Sequence, residues 1–279
     1  MKNLTEKTAI VTGAGSGIGA GIALALGQAG VKVAVADIRK DAADETRRQL
    51  EAQGCKAIAI EIDVSDPKSV AAAAAATEQA FGRLHLAINN AGVAMHGTSL
   101  EATSLEDWDW VMGVNIRGVV HGIRSFLPLI RKHGEGGHIV NTSSIGGLQV
   151  QPGWNTGAYS MTKYAVVALS EALEQELKGS GIGVSVFCPA AVSTDLHASA
   201  KSRPARFGGP FVREEQHFLK DLIAGGLTPL QAGEHVVRGI REDAFFIFSH
   251  SAPRAWIEAR HQRLMAAFDR TAQIETGGI

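Results

Sequence analysis

Residues 8–37 constrain the fold of this chain more than any other stretch. A short β-prone run, Thr8–Thr12, passes straight into Gly13-Ala14-Gly15-Ser16-Gly17-Ile18-Gly19, and a helical pattern follows over Ile18–Ala29. A second β-branched run, Val31–Ala36, ends on an acid, Asp37. Glycines in a loop by themselves often serve only backbone conformations with positive φ. Placed between a strand and a helix, with an acid one strand later, they predict a βαβ unit. Its tight turn lets the backbone approach a pyrophosphate and seats that anion on the helix N-terminus.

The alternation continues. Strands are expected at Ala57–Ile62, Leu84–Asn89, Gly137–Ser143, Gly183–Cys188 and Phe245–Ser249. Helices are expected at Asp41–Gln53, Pro67–Phe81, Leu105–Lys132 and Tyr159–Gly179, the last with Leu169, Leu173 and Leu177 on one face. Strands alternating with helices of this length imply a parallel sheet covered on both faces. The expectation is therefore an α/β fold: a doubly wound Rossmann fold, with a seven-stranded parallel sheet, in a single domain spanning residues 1–279. Two segments interrupt the rhythm. Residues 195–226 carry Arg203, Pro204, Arg206, Gly208, Gly209 and Pro210 and then a polar, helical piece; an insertion there forms a wall or lid. The C-terminal extension, residues 250–279, contains an amphipathic helix over Trp256–Phe268 and a frayed end from Thr271.

Hydrophobic residues make up 45% of the 279, enough for a large core. A formal net charge of −1 gives no reason to expect a nucleic acid or an acidic membrane as partner. Cys55 and Cys188 are the only cysteines and lack metal-ligand spacing, so buried free thiols in a reducing compartment are expected, with no metal. The apolar runs are too short to span a bilayer. A cytoplasmic protein is the reading.

Candidate cofactor residues follow from the fold. Gly13, Ser16, Gly17, Ile18 and Gly19 form the turn. Asp37, with Ile38 beside it, can accept both hydroxyls of an adenosine ribose and would repel a 2′-phosphate, which favours NAD. Arg39 can accept that phosphate and leaves NADP open. Asp37 can equally cap the next helix. Asp63 and Val64 end the third strand at the height of an adenine edge, although Asp63 can simply cap a turn with Ser65 and Asp66. Asn90, Ala91 and Gly92 end the fourth strand, where an asparagine can tie strands together and small residues let a ribose pack close.

Tyr159 and Lys163 lie four residues apart, so on a helix both face one way. A phenol near its reference pKa of about 10 is a poor base at neutral pH. An adjacent ammonium favours phenolate, which makes the pair a candidate general acid/base for an alcohol or ketone. Ser143-Ser144 ends the fifth strand at the same sheet edge. Asn115 falls inside a helical stretch, where asparagine is mildly unfavourable.

Taken in order, Thr12–Gly19, Asn89–Gly92, Asn115, the serine pair, Tyr159-xxx-Lys163 and Pro189–Thr194 resemble the short-chain dehydrogenase/reductase family from Leu4 to about Ser249. That resemblance implies Tyr159 as acid/base and Ser144, rather than Ser143, on the substrate oxygen. It implies Lys163 on the nicotinamide ribose and Asn115 on a water linking Lys163 to solvent. Pro189, Val192 and Thr194 would contact the nicotinamide, with hydride transfer on the pro-S face. The family's Pro-Gly is Pro189-Ala190 here. A homodimer or homotetramer through the Leu105–Lys132 and Tyr159–Gly179 helices is also implied. The implied function is hydride exchange between a secondary alcohol and NAD. NADPH-dependent carbonyl reduction, or a non-catalytic dinucleotide sensor, are the alternatives.

Met95, His96, Leu148, Val150, Trp154, Leu196, His197 and Phe207 suggest a bulky, largely apolar or aromatic alcohol. His96 and His197 can touch substrate, although surface placement is the simpler expectation. The Arg203–Gly208 stretch and the long tail are similar to a bacterial branch that includes the Cα-dehydrogenases of lignin β-aryl ether breakdown.

Overall fold

The computed structural model describes residues 1–211, 223 and 225–275. The polar piece expected after Pro210 and the last four residues lie outside them. The chain divides into a unit over Met1–Ser249 and a second over His250–Ile279.

In the first unit seven strands form one parallel sheet: β1 (Thr8–Thr12), β2 (Lys32–Asp37), β3 (Ala57–Glu61), β4 (Leu86–Asn89), β5 (Gly137–Thr142), β6 (Ile182–Cys188) and β7 (Phe246–Phe248). Their order is β3-β2-β1-β4-β5-β6-β7. The direction of winding reverses between β1 and β4, and a cleft opens beyond the strand C-termini at such a point. The helices are α1 (Gly17–Gln28), α2 (Lys40–Ala52), α3 (Pro67–Phe81), α4 (Leu105–Met112), α5 (Gly118–Lys132), α6 (Gly157–Leu177) and α7 (Pro229–Glu242).

Successive residues of a strand point to opposite faces, so a sheet covered on both sides buries consecutive apolar residues. Val11, Val33 and Val35 pack with Ile22 and Leu26 of α1 and Val236 and Ile240 of α7. Ile10, Ala34 and Ile139 pack on the other face with Val70, Phe126, Ile130 and Leu173. Helix α7 escaped the sequence reading, although its start is marked. Thr228 Oγ1 accepts from Gln231 N, Gln231 reaches back to Thr228 N, and Pro229 occupies the first turn.

The backbones of α1 and α7 touch. A Cβ on Gly21 would fall inside the carbonyl of Pro229, and one on Gly233 inside the carbonyl of Gly21. Gly21→Val should therefore destabilise the fold by about 3 kcal/mol or more, the upper range for overpacked cores. The urea midpoint would fall accordingly; an unchanged midpoint would show that α7 can move aside.

The expected Leu105–Lys132 helical stretch is unbroken but not α throughout. Gly113–Arg117 forms a π-helical turn between α4 and α5, and Asn115 sits in it, fully buried. Single π-turns inside α-helices often mark functional sites. The second unit contains α8 (Arg254–Glu275), longer than the expected Trp256–Phe268, so Thr271–Glu275 is helical rather than frayed. None of its residues is buried, and Trp256, Leu264, Met265, Phe268 and Ile274 are exposed.

Candidate active site

The loop after β1 shapes the cleft. Gly13 and Gly17 have φ of 66° and 53°, which disfavour a side chain. A Cβ on Gly13 would lie 2.8 Å from Ala91 Cα, and one on Gly15 would lie 2.8 Å from Asp37 Cγ. Ser16 occupies the N-cap of α1 but its side chain makes no capping bond, so no side chain takes the first-turn N–H groups. These donors, two of them on Gly17 and Gly19, fit a pyrophosphate.

Asp37 does not cap α2. Its carboxylate accepts from Gly15 N and Arg39 N, both at 2.9 Å. The Arg39 guanidinium reaches Ser16 Oγ at 3.0 Å and lies 3.9 Å from Asp37 Oδ1. Ile38 is exposed beside them. A carboxylate for ribose hydroxyls and a neighbouring cation thus share one corner.

Asp63 does cap its own turn: Oδ1 accepts from Ser65 N at 3.0 Å and Ser65 Oγ at 2.6 Å. The structure adds Arg206, which donates to Asp63 Oδ2 at 2.6 Å and to Ser65 Oγ. Burial pushes the Asp63 carboxyl up, but the bonds from Ser65 and Arg206 outweigh it and hold the group below the usual carboxylate range. Val64 is buried against Gly118. Both Asp63 oxygens are therefore engaged, and an adenine would share them with Arg206.

Arg206 belongs to the insertion expected to form a wall or lid. Its described residues include two short 3-10 turns, Leu196–Ser202 and Ala205–Phe207. Arg203 anchors it. Its Nη1 donates to Asp107 Oδ1 at 2.7 Å, and its guanidinium lies 5.3 Å from the Trp110 ring and 4.9 Å from the Phe211 ring. Phe207 packs toward Gly113. Leu148, expected to line the pocket, instead packs with Val167, Val186 and Cys188.

Asn89 and Asn90 bind strands together as expected. Asn90 Nδ2 donates to Thr12 O at 3.0 Å, and Asn89 Nδ2 to Asn141 Oδ1 at 2.9 Å. Thr12, absent from the candidate residues, is a hub whose Oγ1 accepts from Asn90 N and Ala91 N. The glycine missing after Pro189 has a counterpart. Leu227 N donates to Ala191 O, and Gly226, with no side chain, presses on that same carbonyl. Val192 bridges to Leu227, and Thr194 faces Gly17, where an added Cβ would lie 3.2 Å from its Cγ2. Pro189 O accepts from Ile145 N at 2.9 Å.

At the next rim position the two serines separate. Ser143 Oγ donates to Lys163 O at 2.8 Å inside the core. Ser144 lies beside the Tyr159 phenol and favours its phenolate form, and it accepts from Gly146 N at 3.1 Å. Lys163 Nζ donates to Thr142 O at 3.0 Å and stands 5.7 Å from the Tyr159 ring centroid. A Cβ on Gly92 would lie 3.3 Å from that Nζ and 3.4 Å from Asn115 Oδ1, which keeps the space between them open. The Asn115 amide is committed: Oδ1 accepts from Val93 N, and Nδ2 donates to Val93 O and Thr162 Oγ1. Its side chain holds the loop after β4, and Oδ1 keeps a second lone pair beside the open space next to Lys163.

Burial dominates the electrostatics. It pushes the Tyr159 phenol up to about 12, although Ser144 favours phenolate, and pushes Lys163 down to about 8. The expectation that Lys163 lowers the tyrosine pKa is therefore not met in the protein alone, because desolvation penalises both charged forms. Cys188 is a buried thiol raised by burial to about 12, while Cys55 is only half-buried.

His96 corrects another expectation. It is half-buried, and its ring packs on Tyr159 with centroids 4.8 Å apart.

His85, His133 and Glu135 are the types that hold metals and lie within reach of one another, near the N-terminal ends of the strands. Their lone pairs are taken. Thr8 N donates to His85 Nδ1, Glu135 N donates to His133 Nδ1, and His133 Nε2 faces Leu84 O. Glu135 also pairs with Lys7, Arg83 and His85; the His85 bond and the cations hold its carboxyl at about 2. The cluster works as a structural hub.

This arrangement of glycine turn, acid, serine, tyrosine and lysine around one rim has clear relatives. Residues 7–205 match the family model for short chain dehydrogenases. The chain is 35% identical over 280 residues to a C alpha-dehydrogenase from Sphingobium sp., covering 99% of this chain and 90% of that protein. It is 39% identical over 241 residues to a cyclohexanol dehydrogenase from Acinetobacter sp., covering 84% and 94%. A short-chain dehydrogenase/reductase from Burkholderia phymatum, solved in complex with NAD, superposes with a TM-score of 0.90 at 35% identity, covering 96% and 97% of the two chains. The protein belongs to the short-chain dehydrogenase family. It is an oxidoreductase of the NAD(P)-dependent class, built to exchange hydride between an alcohol and a nicotinamide. No helix among the described residues is long and apolar enough to cross a membrane.

Proposed function

We propose that the protein oxidises a bulky secondary alcohol, an aryl carbinol in the first instance, with NAD. The pairing of Ser144 with the Tyr159 phenol carries this reading, because it brings together at the cleft two hydroxyls that can hold a third oxygen. The Ser144 hydroxyl orients the carbinol oxygen, and Tyr159 Oη takes its proton. Lys163, fixed by Thr142 O, keeps positive charge beside that phenol and is placed to meet a ribose. When bound, the nicotinamide supplies the hydride acceptor; Gly13, Ser16, Gly17, Ile18, Gly19, Asn90, Ala91, Gly92, Pro189, Val192 and Thr194 would hold it. Asn115 fixes Val93 and so the wall of the pocket. The aryl preference draws support from Met95 and Trp108, which pack around Tyr159, and from the likeness to the C alpha-dehydrogenase. Assays with NAD⁺ and aryl, alicyclic and steroid carbinols test it; silence on every aryl carbinol would remove that part.

The preference for NAD rests on the Asp37 carboxylate, which is nearly buried, facing the Gly15 turn. Arg39 favours the competing NADPH-dependent carbonyl reductase, since its guanidinium is half-exposed beside Ser16. Asp37→Ala should lower kcat/KM for NAD⁺ by about 10- to 100-fold, the value of one or two lost hydrogen bonds to a charged group, and narrow or invert the preference over NADP⁺. Titrating both cofactors checks this; a wild-type protein already faster with NADP⁺ would reverse the assignment. The reading includes a cytoplasmic homodimer or homotetramer through α4, α5 and α6, for which light scattering on the purified protein is the test.

A further inference from the structure

One polar atom beside Tyr159 has no role in the chemistry above. His96 lies on the loop after β4, and its ring meets the Tyr159 ring at 4.8 Å and 37°. Its Nδ1 is enclosed and has no hydrogen-bond partner among the described residues. Around the same tyrosine ring stand Met95, Val111 and Ala158, with Val93 and Trp108 at the margin, whose side chains leave the imidazole unsatisfied. Burial pushes the His96 imidazole down to about 4, so at neutral pH the ring is uncharged, with one N–H and one lone pair. Enclosed polar atoms without partners are rare in folded proteins, and each one asks for a cause. Here a cause is in position, because the ring His96 packs on is the one whose hydroxyl meets Ser144. A substrate oxygen bound there brings its neighbouring atoms along the same side chain.

A second enclosed imidazole nitrogen, His197 Nδ1, is also without a partner among the described residues. It lies on the 3-10 turn that docks against the same loop: Leu196 packs on Ala94, and Ser199 Oγ accepts from Ala94 N at 3.1 Å. The paired segments thus carry two unsatisfied nitrogens among otherwise apolar contacts.

We propose that His96 determines specificity: its imidazole hydrogen-bonds a second oxygen of the substrate, and the class it selects is a secondary alcohol bearing another hydroxyl close to the carbinol. A hydroxyl suits the site better than an ether or carbonyl, because it donates and accepts and so satisfies either tautomer. This rests on the dehydrogenase reading above and narrows its substrate.

The test uses matched pairs: 1-phenylethanol against 1-phenylethane-1,2-diol, and 1-phenylpropan-1-ol against 1-phenylpropane-1,3-diol. For at least one pair, kcat/KM of the wild-type protein should favour the diol by about 10- to 100-fold, as expected for a donor or acceptor otherwise left unpaired. His96→Phe keeps an aromatic ring against Tyr159 and should bring the diol down to the level of the mono-ol, mainly through KM. His96→Gln, which restores a donor and an acceptor, should recover part of the difference. An equal diol-to-mono-ol ratio in wild type and His96→Phe overturns the proposal, as does an equal fall on both alcohols, which would mean that the ring only supports Tyr159. Calorimetric titration of each alcohol into the protein separates the two readings. Turnover of none of the four removes the dehydrogenase assignment for this class, while diol-selective binding lost in His96→Phe still upholds His96; no selectivity in binding overturns it.

Discussion

Tyr159→Phe is expected to lower kcat for alcohol oxidation by about 10²- to 10⁴-fold, the range for a positioned general acid/base. The substitution removes one oxygen from a nearly buried ring and leaves the packing of Met95, Val111 and Ala158 in place. Ser144 keeps its bond from Gly146 N. The fold and dinucleotide affinity should therefore survive while turnover does not. Because burial holds the phenol at about 12, only a small fraction is phenolate at pH 7 in the protein alone. Oxidation by the wild-type protein should accordingly speed up as pH rises above 7, and the variant should lose that dependence. Stopped-flow or steady-state rates between pH 6.5 and 9.5 check both statements. A phenylalanine variant with full turnover would overturn Tyr159 as the acid/base.

Lys163→Met should produce opposite changes in activity and stability. The ammonium is buried, its one fixed partner is a neutral carbonyl, Thr142 O, and desolvation drives its pKa from 10.5 to about 8. Between these values the unfolded chain binds more protons than the folded one, so stability rises with pH through that window. Below pH 8 the full penalty applies, on the order of 3 kcal/mol at 1.36 kcal/mol per unit. A methionine of similar volume escapes it, as replaced buried charges often do. The variant should melt several degrees higher at pH 7, with about 2–4 °C per kcal/mol for a protein of this size. The gap should close as pH climbs from 8 toward 10.5, where the wild-type lysine loses its proton. Turnover should fall by about 100-fold or more, because the positive charge beside the phenol is gone. Melting curves across that pH range decide the matter; a variant less stable than wild type at pH 7 would show that the Thr142 bond outweighs desolvation. Stability withheld at a functional site is a common trade.

Much of the site was legible before any coordinates. The glycine turn, Asp37, the Asn89–Gly92 stretch and the Tyr159–Lys163 spacing are short-range signals, each expressed within a few residues of its own strand or helix. Ser144 over Ser143 could be chosen only by resemblance; in the structure Ser143 Oγ donates to the backbone of α6, while Ser144 lies beside Tyr159. Asn115 was noticed because asparagine is a poor mid-helix residue, yet the π-turn that accommodates it has no local sequence signature. Helix α7 was missed despite a capping box at Thr228 and Gln231, a signal that was present and unread. Thr162 carried no such mark, and neither the hub role of Thr12 nor the packing of His96 on Tyr159 was legible, since both depend on partners brought from other elements.

Local sequence determined the strands, the helices, the nucleotide turn and the four-residue spacing of phenol and ammonium, because backbone preference and periodicity act over short distances. Tertiary structure alone decided that Arg206 would land on Asp63, 143 residues away, and that His96 would lie against Tyr159. It also decided that burial, rather than the neighbouring charge, sets the protonation of Tyr159 and Lys163. Desolvation depends on every element packed around a group, and no stretch of chain carries that information by itself.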